Sequence, residues 1–395
     1  MDVCGRGVKP MNRLVIVSNR LPVTASVKRG RISLARASGG LATGLSRVQG
    51  ADDSLWIGWS GASEPLGEDL ETELRRRLGS RNLVPVPLEP DEVEDFYEGV
   101  ANEVLWPTFH YLLDRMPLRQ RGWEVYERVN DRFAEIVASY HRPDDVVWVQ
   151  DYHLMRVPTL LRRRVPTAKI GFFLHVPFPP SDLFQTLAGR EALLDGLLGA
   201  DVIGFHTTAY LRHFAAALLR LRGLQVDIDR VHVGERQVRI GVFPMGVDVD
   251  RYRQLTTSET FCEDVAQLRA TPDCSILLGM DRLDYTKGIP RRLLAFEQLL
   301  AEHPELHGRV RLIQVAAPSR AAVGSYRELR NEVDRLVGRI HGEFATPSWV
   351  PVHYIYRSLA EREVAALYRA ADVMLVTPIR DGMNLVAKEF VATRS

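Results

Sequence analysis

Cysteine is scarce in this chain: Cys4, Cys262 and Cys274 are the three among 395 residues. Their spacing builds neither a disulfide framework nor a metal-binding pattern, which suits a reducing cytoplasm. Net charge is scarce as well, with 51 basic residues against 50 acidic and a formal balance of +1. No field of one sign therefore invites nucleic acid or an anionic membrane. No apolar run approaches the length of a membrane span, and the N-terminus lacks the continuous apolar core of a signal peptide. Its first ten residues carry no pattern, so Met11 is a second candidate start. Low-complexity linkers and short repeats are also missing. What remains, 46% hydrophobic and 26% charged, is the balance of a globular enzyme long enough for two domains. Arginine clusters such as Arg75-Arg76-Arg77 lie beside acidic residues and read as solvated helix faces.

Short apolar runs alternate with helical periodicity along the chain. Strands are expected at 14–18, 55–59, 83–86, 146–150, 170–175, 202–205 and 238–243, with helices at 70–78, 128–139, 183–198 and 210–221. Pro244-Met245-Gly246-Val247-Asp248 reads as a hinge. Beyond it, strands at 275–280, 310–315, 352–356 and 373–377 alternate with helices at 290–302, 320–340 and 360–370. This α/β pattern predicts two doubly wound parallel-sheet domains, 11–247 and 248–395, facing across a cleft with ligands at the carboxyl ends of the strands.

Chemistry-bearing residues cluster at those strand ends. Asp381 and Gly382 follow the apolar run at 373–377, and Asn384 is placed to cap a helix whose first amides, at Leu385 and Val386, lack intrahelical acceptors. Glu389, one turn in, can accept two hydrogen bonds from a cis-diol such as a ribose, and Asp381 can serve sugar hydroxyls. The alternative for this stretch is an ordinary strand-to-helix turn with a solvated Lys388–Glu389 pair. Arg282 and Lys287 follow another strand, where two fixed cations can neutralise a departing nucleotide diphosphate. Solvent-facing basic residues are the bland reading of that pair. Arg20, Asp151, His175 and Arg320 also follow strands. Gly39-Gly40 could let backbone amides approach a phosphate, or simply make a turn. A metal reading of Asp151, His153 and His175 lacks a compact ligand set, so hydrogen bonding to sugar hydroxyls is preferred and His153 reads as structural. The aromatic cluster from Val104 to Tyr111 reads as core, with part of it, and Tyr97, available to stack on a sugar.

Together these motifs resemble the trehalose-6-phosphate synthases, retaining two-domain glycosyltransferases of the GT-B type. The likeness runs from about Leu14 to the last residue and is carried by Val17-Ser18-Asn19-Arg20, Ser38-Gly39-Gly40-Leu41, Leu105-Trp106-Pro107, Asp151-Tyr152-His153, Phe172 to Pro179, Arg282 to Gly288 and Arg380 to Glu389. The resemblance implies that Arg20, Tyr97, Trp106, Asp151 and Arg320 hold glucose 6-phosphate. It places Gly39, Gly40, Val176, Arg282, Lys287, Leu385, Val386, Ala387, Lys388 and Glu389 on UDP-glucose, with His175 and Asp381 at the glucose hydroxyls. Arg282, Lys287, His175 and Asp381 are the implied catalytic set. No metal or cofactor is implied. The implied reaction is a front-face transfer giving α,α-trehalose 6-phosphate and UDP, helped by domain closure that excludes water.

Family members continue past the position of Val391, so the second domain is expected to be incomplete. Residues 373–377 would then form an open sheet edge, and stability and activity would be reduced. Two further readings stay open: a truncated non-catalytic or regulatory relative, and an enzyme like the glucosylglycerol-phosphate synthases with another acceptor. The donor base and any homo-oligomer are also left open.

Overall fold

Leu14–Arg20 (β1) carries the run Leu-Val-Ile-Val, and Val15, Ile16 and Val17 are all essentially inaccessible to solvent. A strand apolar at consecutive positions is buried on both faces, so it belongs in the middle of a covered parallel sheet. The computed structural model, which describes residues 13–28, 31–36, 45, 54–62, 67–271, 273–319 and 324–394, puts it there. The hairpin of Val23–Lys28 (β2) and Arg31–Arg36 (β3) follows, then Leu55–Trp59 (β4), Leu83–Pro85 (β5), Val146–Gln150 (β6), Lys169–Phe173 (β7) and Val202–Phe205 (β8). Val226–Asp227 (β9), Arg230–Val233 (β10) and Arg236–Val242 (β11) complete the set. The nine-stranded sheet has the order β5-β4-β1-β6-β7-β8-β11-β10-β9, with only β9 and β10 antiparallel to their neighbours. From β1 the chain moves out through β4 and β5, then returns to β6 on the other side of β1. That reversal is the switch point where the strand ends part and leave a crevice.

Helix sequences show why they cover this sheet. In Trp123–Tyr140 the buried residues are Tyr126, Val129, Asn130, Phe133, Ala134 and Val137, a stripe at helical spacing. Thr208–Arg222 starts on the Thr207 hydroxyl, which accepts from the Tyr210 N–H, and stops at Gly223 with φ of +64°. The helix expected over 183–198 is two pieces, Ser181–Phe184 and Arg190–Leu197, because the chain turns at Gly189 against the Trp123 ring. The stretch 90–109 is helical throughout. Pro90–Glu92 opens it with a Glu89–Glu92 capping box, and Val93–Leu105 continues as a π-helix. Nothing in the sequence pattern signalled that wide winding.

The chain divides into two compact units, Met1–Pro244 and Met245–Ser395; the expected change of domain lay after Val247. In the second unit Ser275–Arg282 (β12), Val310–Ala317 (β13), Val352–Ile355 (β14) and Val373–Met374 (β15) form a parallel sheet in the order β14-β13-β12-β15. Ile276, Leu278 and Met280 of β12 meet Ile313 and Val315 of β13 in a core shared with Tyr252, Ala365, Ala366 and Tyr368. Here too the chain reverses, from β14 back to β15 beside β12. The buried strand expected over 373–377 is corrected. Regular pairing stops at Met374, with one more bond from the Leu375 N–H to the Leu278 carbonyl. β15 lies at the sheet edge, so Val373 is 47% and Val376 40% exposed.

Candidate functional site

In the first unit, Arg20 leaves the end of β1 where the register with β4 shifts between Val17 and Arg20. Buried Ser18 holds that irregular end: its hydroxyl donates to the Arg20 carbonyl at 2.7 Å and accepts from the Trp56 indole at 2.7 Å. The Arg20 guanidinium carbon stands 4.2 Å from the centre of the Trp59 ring and 5.2 Å from that of Tyr97. Ring faces attract a cation without using its N–H donors. Gly61, at φ of +80°, makes room, since a Cβ there would lie 2.5 Å from an Arg20 nitrogen. From Tyr97 the aromatic contacts continue through stacked His153 at 5.9 Å to Tyr152, and from Tyr152 to Trp106 at 5.8 Å. Trp106 is 5% exposed and sits within this aromatic layer.

Asp151 follows β6 with φ of +69°, a conformation a non-glycine residue holds only at a cost of about 1–3 kcal/mol. Two bonds enforce it. The Asp151 N–H donates to the Phe173 carbonyl at 2.8 Å, and its carboxylate accepts the His175 N–H at 3.1 Å. The His175 ring lies 2.8 Å from the Gln150 side-chain oxygen through Nε2. The Gln150 amide nitrogen points to the Trp148 carbonyl, so its oxygen accepts and Nε2 of His175 carries the proton. Nδ1 is then an acceptor. Burial, with His206 adding a smaller push, drives the His175 pKa down to about 3 and keeps the ring neutral. Val176 beside it is buried.

In the second unit, the turn after β12 is built on Asp284, fully buried, whose carboxylate accepts from the Thr286 N–H and hydroxyl and from the Tyr326 hydroxyl. That turn delivers Lys287, whose ammonium lies 2.5 Å from Asp381. Arg282 ends β12 and is exposed. Gly288, at φ of +65°, lets the Thr377 carbonyl approach so closely that a Cβ would sit 2.4 Å from it. Asp381 also accepts from the Gly382 N–H, and Asn384 caps Leu385–Ala392 by accepting from Ala387 at 3.0 Å. The first-turn amides of Leu385 and Val386 keep the outward orientation of a helix start. The Glu389 carboxylate accepts from the Tyr368 hydroxyl at 2.8 Å, and Lys388 reaches the Met245 carbonyl at 2.6 Å.

Beneath this loop lies a residue the sequence reading missed. Arg292, 3% exposed, donates to Asp281 at 2.8 Å, Gln314 at 2.9 Å and Thr377 at 3.0 Å. It therefore ties β12, β13 and the segment after β15 together. Gly279 lets it pass, for a Cβ there would meet its guanidinium at 2.3 Å. A signal existed: Ile289, Arg292, Leu293, Phe296 and Leu300 share one buried helix face, and an arginine on such a face needs a partner. Trp59 and Tyr368 were also missed, being core types in core positions, as was Gln150, a buried polar residue that closes an apolar strand run. Gly39, Gly40 and Arg320 lie outside the described residues. Of the other expected residues, Arg20, Asp151, His175 and Val176 follow the strands β1, β6 and β7 of the first unit, with Tyr97 against Arg20 and Trp106 in the aromatic layer, while Arg282, Lys287, Asp381 and 385–389 follow β12 and β15 of the second.

Residues 12–395 match the family model described as Glycosyltransferase family 20. The chain belongs to glycosyltransferase family 20. A relative within it, the bifunctional trehalose-6-phosphate synthase/phosphatase of Thermoproteus tenax, is 44% identical over 394 residues, covering 97% of this chain and 53% of its own length. The chain thus spans about half of that relative. Among solved structures, an α,α-trehalose-phosphate synthase (UDP-forming) of Burkholderia xenovorans, in complex with glucose 6-phosphate, is 33% identical with a TM-score of 0.85, over 97% of this chain and 82% of that one. The N-terminal domain of a Candida albicans trehalose-6-phosphate phosphatase shares the fold as closely, with a TM-score of 0.86 and 32% identity over 99% of this chain and 82% of that one. The family-20 fold is therefore this chain's fold. Among the described residues no helix is long and apolar enough to cross a membrane.

Proposed function

We propose that the protein transfers glucose from UDP-glucose to glucose 6-phosphate, giving α,α-trehalose 6-phosphate and UDP. The observation that carries this reading is the arrangement of anion-binding groups at the switch points of both sheets, each beside acceptors suited to sugar hydroxyls. In the first unit, Arg20 keeps its N–H donors for the phosphate of glucose 6-phosphate, while Asp151 and Tyr97 take the sugar. Gly39, Gly40, Arg320 and Trp106 keep the roles that the resemblance gives them. His175, neutral and accepting at Nδ1, receives a hydroxyl of the donor glucose.

In the second unit, Lys287 and Arg282 meet the diphosphate, the Leu385 and Val386 amides add dipolar stabilisation, and Glu389 takes the ribose diol. An ammonium has three N–H donors, so Lys287 can keep Asp381 and still bind phosphate oxygen. Asp381 in turn accepts from the glucose. In the transfer, the bond between the anomeric carbon and the diphosphate oxygen breaks with its electrons going to the diphosphate. The acceptor hydroxyl oxygen bonds to that carbon on the same face, and its proton passes to the departing phosphate oxygen. Arg282 and Lys287 stabilise the charge that grows there.

A second reading is favoured by the same fold in the N-terminal domain of a protein named as a phosphatase: a module that binds sugar phosphate and nucleotide without turnover. Incubation with UDP-glucose and glucose 6-phosphate, followed by measurement of UDP, tests the two. Release that requires glucose 6-phosphate and not glycerol 3-phosphate supports the synthase. Binding of both ligands with no release supports the module. Release with glycerol 3-phosphate alone moves the acceptor to the glucosylglycerol-phosphate class.

A further inference from the structure

We propose that Tyr368 is a positioning residue for nucleotide recognition, holding the Glu389 carboxylate so that its remaining acceptor sites face a ribose diol. The proposal rests on the donor reading above. Tyr368, in the helix Glu361–Ala370, is 1% exposed, and its ring meets Phe390 edge-on at 6.3 Å and 83°. A ring so enclosed has little freedom, and its hydroxyl is delivered 2.8 Å from one Glu389 oxygen. Tyr252, from the helix Val249–Leu255, interacts with the same carboxylate. A carboxylate offers about four lone-pair sites, so the Tyr368 hydroxyl leaves enough for a diol.

The need for such donors comes from the surroundings. Burial raises the Glu389 pKa, and the Tyr368 and Tyr252 hydroxyls act against that rise. A protonated Glu389 would turn one acceptor oxygen into a donor and lose half of its fit to a diol. An anionic one free to rotate would spend binding energy on being ordered. The Lys388 bond to the Met245 carbonyl fixes the same helix turn from its other side. Tyr368 thus acts on the ligand only through Glu389.

Binding of UDP and of 2′-deoxy-UDP to the full chain, followed by titration calorimetry, decides the matter without relying on turnover. Tyr368→Phe removes one oxygen and keeps the ring. Its UDP affinity is expected to fall about 3- to 10-fold, the worth of one ordinary hydrogen bond, with a melting temperature near that of the unaltered chain. The penalty should shrink by about half or more with 2′-deoxy-UDP, and should vanish in a Glu389→Gln background. An equal loss for both nucleotides, no loss, or a Tyr368→Phe chain that does not fold would each overturn the positioning role. If the unaltered chain binds no UDP, the donor reading itself falls. If it binds UDP and 2′-deoxy-UDP alike, the ribose role of Glu389 and the present proposal fall, while nucleotide binding stands.

Discussion

The two strand-end clusters hold their cations by opposite means. Arg20 lies against the faces of Trp59 and Tyr97, and among the described residues no carboxylate comes within ion-pair reach of it. Lys287 is 8% exposed and bonded to Asp381, over a buried network centred on Arg292. Aromatic faces fix a guanidinium without drawing on its N–H donors. A carboxylate partner fixes an ammonium and lowers the cost of burying it. Placement of charge and compensation of charge are thus separate problems, solved differently in the two units.

Arg292 is the residue whose loss should cost the second unit most. Arg292→Met leaves Asp281 buried without its cation and should cost the second unit about 3–5 kcal/mol, read as an earlier transition in denaturant. The first unit should unfold as before, and a joint loss would mean that the two networks are not independent. Slightly smaller is Lys287→Ala, expected to lower the rate of UDP formation about 10²- to 10³-fold with little change in the affinity for glucose 6-phosphate.

His175 sharpens the contrast through pH. Its pKa is depressed from its ordinary value of 6.5 to about 3, so between these values the unfolded chain binds the proton and the folded chain does not. Its contribution to the first unit's stability is therefore complete above about pH 6.5 and is lost as pH falls toward about 3. Replacing it with glutamine should flatten that acid limb in pH-dependent melts. Trp59→Leu is the mildest change. It removes one ring face and should raise the KM for glucose 6-phosphate about 2- to 5-fold, leaving the KM for UDP-glucose unaltered.

Much of this was legible in one dimension. Runs such as Val-Val-Trp-Val-Gln at 146–150 and Leu-Trp-Ile-Gly-Trp at 55–59 fall on β6 and β4 residue for residue. The Asn384 cap was readable because a short polar side chain before an apolar helix has one good use. The π-helix over Val93–Leu105 was not, since a pattern of apolar residues does not report how widely the backbone winds around them. Arg292 was passed over because periodicity was counted on apolar residues alone.

By itself the sequence determined that strands and helices alternate, that polar residues follow several strands, and which family motifs they compose. Those are local properties, written in spacing along the chain. Which strand ends become neighbours was decided by the sheet orders β5-β4-β1-β6-β7-β8-β11 and β14-β13-β12-β15. Pairing depends on which distant strands bury each other, so only the folded chain could bring the end of β1 beside β6, or Lys287 against Asp381.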